Sequence, residues 1–158
     1  MKATRALRPV ARLLLALQAL LVLTGGAVRV TGSGLGCPTW PECTTDSYFP
    51  VEGQEEKALH AWIEFGNRLL TFALLFAALA MVIVVVRARR KDLRLLALSQ
   101  IAGIFGQAIL GGITVLTKLN PIAVASHFIL SIILIAAAQS LLTRAQSERI
   151  QNPVKSDY

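Results

Sequence analysis

His60, Glu64, Asn67 and Thr71 recur at helical spacing within the stretch HAWIEFGNRLLT. At roughly 100° per residue they fall within a sector of about 60°, so one neighbour or cavity would meet an imidazole, a carboxylate, an amide and a hydroxyl together. Such a set can ligate a metal, move a proton or hold the polar edge of a cofactor. The stretch opens a long apolar run, and ionisable groups at membrane depth are costly unless they serve an ion, a proton path or a cofactor. The plainer reading is a helix end anchored in headgroups by His60 and Glu64. Asn67 and Thr71, which continue the stripe inward, speak against it.

Other runs carry polar lines of their own. Gln18, Gly25 and Arg29 share one face of the first, Gln100, Gly103, Gln107, Gly111 and Thr114 one face of the third, and His127 and Ser131 lie one turn apart in the fourth. Small residues and amides often do no more than let helices approach in lipid. The histidines differ, because imidazole is a preferred haem-iron ligand and helical bundles hold such cofactors.

The elements that must position these residues are membrane helices. Hydrophobic residues make up 54% of the 158, and the mean hydropathy of +0.60 leaves too little polar surface to clothe a soluble fold. Apolar runs predict an all-α integral membrane protein, a bundle of four transmembrane helices at about 10–28, 62–86, 93–116 and 122–142. These form one domain, 1–146, followed by a polar cytoplasmic tail, 147–158. Lys2, Arg5, Arg8 and Arg12 precede the first span, Arg87 to Arg94 hold five basic residues between the second and third, and Arg144, Arg149 and Lys155 follow the fourth. The positive-inside rule then puts both termini in the cytoplasm of a multi-pass cell-membrane protein and the segment from Arg29 to Leu59, with Glu42, Asp46, Glu52, Glu55 and Glu56, in a long loop outside. The net charge of +7 is read as topology, and no nucleic-acid partner is expected. A basic start, an apolar run and small residues at Thr24 to Ala27 also fit a cleavable signal peptide, but a retained first helix keeps the spans even in number and the basic segments on one side.

Cys37 and Cys43 in GCPTWPEC are the only cysteines. Outside the cytoplasm oxidation is allowed, so a disulfide is expected, either a staple or a redox-active couple. The spacing fits neither covalent haem attachment nor a zinc site.

The stretches GGAVRVTGSGLGCPTWPEC, HAWIEFGNRLLT, GGITVLTKLNP and HFILS, in this order, resemble the N-terminal half of a bacterial haem A synthase of the actinobacterial kind. The resemblance implies oxidation of a methyl group of haem O to the formyl group of haem A, with haem O as substrate, received from a haem O synthase, and haem b as the other haem form to consider. It matches His127 to an iron ligand, Glu64 to a carboxylate needed for turnover, and Cys37 and Cys43 to disulfide-forming cysteines. Many members carry a histidine where this chain has Asn67. His60 is then the only other candidate ligand, about 10 Å nearer the surface than Asn67 along a helix axis, and iron held by His127 alone is the alternative. Glu64 is the candidate catalytic group, with pairing to Arg68 as its structural reading, while Arg29 and Arg68 are candidate propionate holders at the outer rim. Members typically have two similar four-helix halves, so a homo-oligomer or a second half-size subunit is expected, with a fragment of a longer protein as the alternative, together with contact to membrane lipid. The rival reading is a non-catalytic haem-binding or oxidase-assembly subunit. A small transporter fits less well, because the ionisable residues cluster at the outer helix ends.

Overall fold

A computed structural model describes residues 2–51 and 58–151 of the chain. Glu52, Glu55 and Glu56 of the connecting segment, and Lys155 of the tail, lie outside the described residues. Four helices carry nearly all the regular structure: α1 (Lys2–Val30), α2 (Ala58–Arg87), α3 (Arg94–Leu116) and α4 (Pro121–Gln151). A single 3-10 turn, Lys91–Leu93, precedes α3, and among the described residues there is no strand, only a bridge between Thr44 and Ser47. Each long helix contains a segment long and apolar enough to cross a membrane. Even α3, with 23 residues, rises roughly 35 Å against a hydrocarbon core of about 30 Å. The chain is thus all-α and of the multi-pass membrane type. Large apolar side chains such as Leu23, Phe76, Leu95 and Ile109 point outward, as they should where the solvent is lipid.

Local sequence sets where the helices stop and start. Gly32, at φ 71°, takes the left-handed position that ends α1, and the Ser33 N–H closes back on the Val28 carbonyl at 2.9 Å. Asn120 caps α4 by accepting the Ile122 N–H at 2.9 Å, with Pro121 in the first helical position, where its missing N–H costs nothing.

Helices adjacent in sequence pack against each other, and α4 closes the ring on α1. The interior is divided along its length. At one end Leu7, Ala11 and Leu14 of α1 meet Met81 and Val85 of α2, Leu93 and Ala97 of α3, and Leu141 and Ala145 of α4 in a solid apolar core. Most of the basic residues gather around this end, where Arg8 donates to the Gln146 carbonyl and Arg90 to the Arg144 carbonyl. A buried polar layer lies above the core: Gln18 Nε2 donates to Gln100 Oε1 at 3.0 Å, and Gln100 Nε2 to the Leu134 carbonyl at 3.3 Å, tying α1, α3 and α4 together. Beyond that layer the bundle is hollow, and segment 31–51 folds over the hollow end.

Candidate functional site

The hollow end encloses a cavity of about 540 Å³ lined by all four helices and by the segment after α1. Its walls are mostly apolar, among them Leu21, Val22, Ile104, Val115 and Phe128, with a few polar groups set into them. That composition and size suit a cofactor-sized apolar ligand oriented by a small number of polar contacts.

Glu64 and Arg68, one turn apart on α2, form an ion pair at 2.6 Å, and both line the cavity. Their contacts extend well beyond each other. The Cys37 N–H donates to Glu64 Oε2 at 3.0 Å. The Arg68 guanidinium donates to the carbonyls of Cys37 (3.0 Å), Thr39 (3.1 Å) and Glu42 (3.1 Å), with a longer contact to Pro41 (3.4 Å). A planar fork of donors suits this work, because one rigid group can meet several carbonyls that curl around it. Cys37 and Cys43, both fully buried, are joined by a disulfide that closes the same loop, and Phe65 packs beneath them. The i, i+4 pairing of Glu64 with Arg68, the structural alternative to a catalytic Glu64, is therefore present, and it also anchors the loop.

The remaining predicted residues separate into two groups. Asn67 faces the cavity, and its Oδ1 lies 2.6 Å from the Thr24 hydroxyl of α1. Thr71 also lines the cavity and donates to the Asn67 carbonyl. Arg29, in the last turn of α1, lies on the rim, exposed and with no side-chain partner among the described residues. His127 lines the wall from α4, with Gly111 of α3 across from its ring: a Cβ there would stand 3.4 Å from the imidazole. Its Nδ1 is buried without a hydrogen-bond partner, as is Oε1 of Gln107 one helix away. The structure does not bring His60 to this cavity. Its Nδ1 lies 3.1 Å from the Ser33 hydroxyl, and Gly36 rests on its backbone, so the histidine sits beneath the loop instead.

Several residues of the site carry no helical signal of their own. Trp40 and Pro41 reach the cavity from the loop, and the Trp40 ring lies so close to α3 that a Cβ on Gly112 would come within 2.7 Å of it. Gln107 holds α4 in register by donating to the His127 carbonyl and the Ser131 hydroxyl. The glutamine was legible as part of the polar line of α3. The tryptophan was visible only as a member of the cysteine loop.

His127 sets an imidazole, a common iron ligand, into a largely apolar wall; its Nδ1 is covered beside Gly111, so a metal-bearing ligand in the cavity would be met by the other ring nitrogen. The flat apolar body, the anionic edge and the iron of a haem match, respectively, the apolar walls, free Arg29 and His127. On these features the residues present fit a haem.

The sequence matches the family described as cytochrome oxidase assembly protein over residues 9–157. It is 30% identical over 140 residues to a heme A synthase of Geobacillus kaustophilus, covering 87% of this chain and 42% of that one. It is also 30% identical over 159 residues to a heme A synthase of Shewanella oneidensis, covering 88% and 46%, and 34% identical over 114 residues to one of Lysinibacillus sphaericus, covering 70% and 36%. The chain spans less than half the length of these curated relatives. No solved structure matches it.

Proposed function

The chain belongs to the cytochrome oxidase assembly protein family, and from that premise we propose that its cavity holds haem O for oxidation of a ring methyl to the formyl group of haem A. The observation that carries the reading is His127, an imidazole that lines the largely apolar cavity with its Nδ1 covered beside Gly111, which leaves the other ring nitrogen for a ligand. Bound haem would supply the iron and the oxidisable methyl. An oxygen donor and an acceptor for the four electrons lost by the methyl would have to come from outside the chain, and this chain's residues would bind, orient and handle protons. His127 holds the iron from α4. Arg29, with free donors at the rim, meets a propionate by charge-assisted hydrogen bonds. Asn67 and Glu64 line the α2 wall, and Glu64 would take a proton from the reacting edge. The apolar helices and the loop keep bulk water from the substrate. Arg68 lines the same wall, but its donors are directed at the loop and at Glu64, so among the described residues that line the cavity Arg29 is the cation left for an anionic edge.

The disulfide end would face outward and both termini the cytoplasm, with substrate haem delivered from a haem O synthase through the membrane. The relatives are more than twice as long, so a second bundle, from another copy, from a half-size subunit or from the remainder of a longer protein, would complete the working unit. Mass measurement in mild detergent tests that pairing: an active monomer refutes it.

One observation favours haem binding without turnover as a second reading. Both oxygens of Glu64 are already engaged, Oε1 by Arg68 and Oε2 by the Cys37 N–H. Product analysis of the wild type and of Glu64→Gln separates the two, since haem A made by the wild type excludes binding without turnover. Under the first reading the variant keeps bound haem but accumulates haem O or a hydroxylated product in place of haem A. Normal haem A production removes Glu64 from the chemistry.

A further inference from the structure

The geometry points to Trp40 as a substrate-contacting roof of the cavity, an indole plane seated on Gly112 and fixed by Arg68, against which a flat tetrapyrrole lies. The inference rests on the haem site proposed above and adds to it a residue from outside the helices. Three features meet at this side chain. First, Trp40 is the aromatic residue among those, with Gly34 and Pro41, that the loop contributes to a cavity walled mostly by the bundle. Second, its ring rests on the backbone of α3. A Cβ on buried Gly112 would lie 2.7, 3.0 and 3.1 Å from Cδ2, Cε3 and Cε2 of the indole, closer than side chains approach, so the position admits only glycine while the ring stays there. Third, the backbone on both sides of Trp40 is held, since Arg68 reaches the carbonyls of Thr39 and Pro41, and the Cys37–Cys43 disulfide closes the loop around them.

A tryptophan that served only as an interfacial anchor would need neither the glycine seat nor the guanidinium. This one is 39% exposed despite the seat, and it lines the cavity together with Gly111, beside which the His127 ring lies. A rigid aromatic face held in place gains most against a planar partner, because no side-chain freedom is lost on binding. Arg68 is then a positioning residue that acts through the loop, and Gly112 is the seat that fixes where the indole sits. The ligand class that suits such a roof is a planar, largely apolar macrocycle with an anionic edge.

The test follows loss of haem from the reconstituted full chain to an excess of a soluble apo-haem protein acting as scavenger. Trp40→Ala is expected to speed the loss roughly tenfold, and Trp40→Phe to recover much of the difference. Gly112→Ala, which displaces the ring, should speed the loss while Trp40 is present and have no further effect in the Trp40→Ala background. Circular dichroism and the state of the disulfide check that each variant keeps its fold. Haem that leaves Trp40→Ala no faster than wild type overturns the roof. So does a Gly112→Ala effect of equal size with and without Trp40, which would place its action in helix packing. A wild-type chain that takes up no haem refutes the haem site, and this proposal with it.

Discussion

Replacing Arg68 by methionine should release the loop over the cavity while leaving α2 intact. The size of the effect follows from what the guanidinium touches. Its loss strands the Glu64 carboxylate, whose side chain is only 8% exposed, with the Cys37 N–H as its remaining partner, and removes a donor from the carbonyls of Cys37, Thr39 and Glu42. Removing one partner of a fully buried pair costs about 3–5 kcal/mol. Arg68 is 21% exposed, so water can recover part of that, and about 2–3 kcal/mol is the reasonable figure. At 1.36 kcal/mol per factor of ten, amide exchange across residues 33–45 should quicken roughly 30- to 150-fold. Hydrogen exchange read by mass spectrometry, with the disulfide left intact, measures it. Adding Glu64→Gln to Arg68→Met should restore part of the protection, because no charge is then stranded, and a coupling of about 1 kcal/mol or more is expected. Loop exchange in Arg68→Met within twofold of wild type would refute the reasoning, since the guanidinium would then be incidental to the loop.

Three further outcomes are expected. A membrane-impermeant thiol reagent applied to intact cells should label Cys37 and Cys43 only after reduction; labelling without reduction would exclude the disulfide, and none in either state would put the loop inside. Gln18→Leu leaves Gln100 Oε1 buried without its donor and should lower stability by about 1–3 kcal/mol, whereas Gln18→Leu combined with Gln100→Leu should recover much of the loss, as thermal unfolding in detergent would show. Lys118, exposed at φ 52°, should accept glycine with a gain of up to about 1 kcal/mol, read as a small rise in Tm; a fall would mean that its side chain makes a contact worth more than the backbone relief.

The membrane helices were legible because four long apolar runs leave few alternatives and the breaks between them carry strong punctuation, such as Asn120-Pro121. Glu64 and Arg68 were legible as a pair because i, i+4 spacing on a helix is local information. Their hold on the loop was not, since it depends on how residues 37–42 fold back across α2. His60 shows the limit of a helical wheel. It shares a sector with Glu64 and Asn67, yet it lies a turn nearer the helix start, where the neighbour on that face is Ser33 and Gly36 of the loop and no longer the cavity. A wheel gives direction about the axis, and only the tertiary fold says what covers each level. Trp40 was hidden for a related reason: a loop residue has no periodicity, and its seat on Gly112 joins positions far apart in the chain. The division of the interior into a solid end and a hollow end was partly legible, because Gln18, Gln100 and Gln107 interrupt otherwise apolar faces, although their spacing alone does not distinguish structural glue from a cavity wall.

Identification of the pigment bound to the purified chain, by acid extraction and mass measurement, with visible spectra of wild type, His127→Ala and His60→Ala, tests the haem site most directly. Expressed where haem O is made, the wild-type chain should yield haem O or its oxidised products. His127→Ala should lose or strongly shift the haem bands, and His60→Ala, which alters a residue outside the cavity, should keep them. A wild-type chain without haem, or a His127→Ala spectrum identical to wild type, would contradict the account.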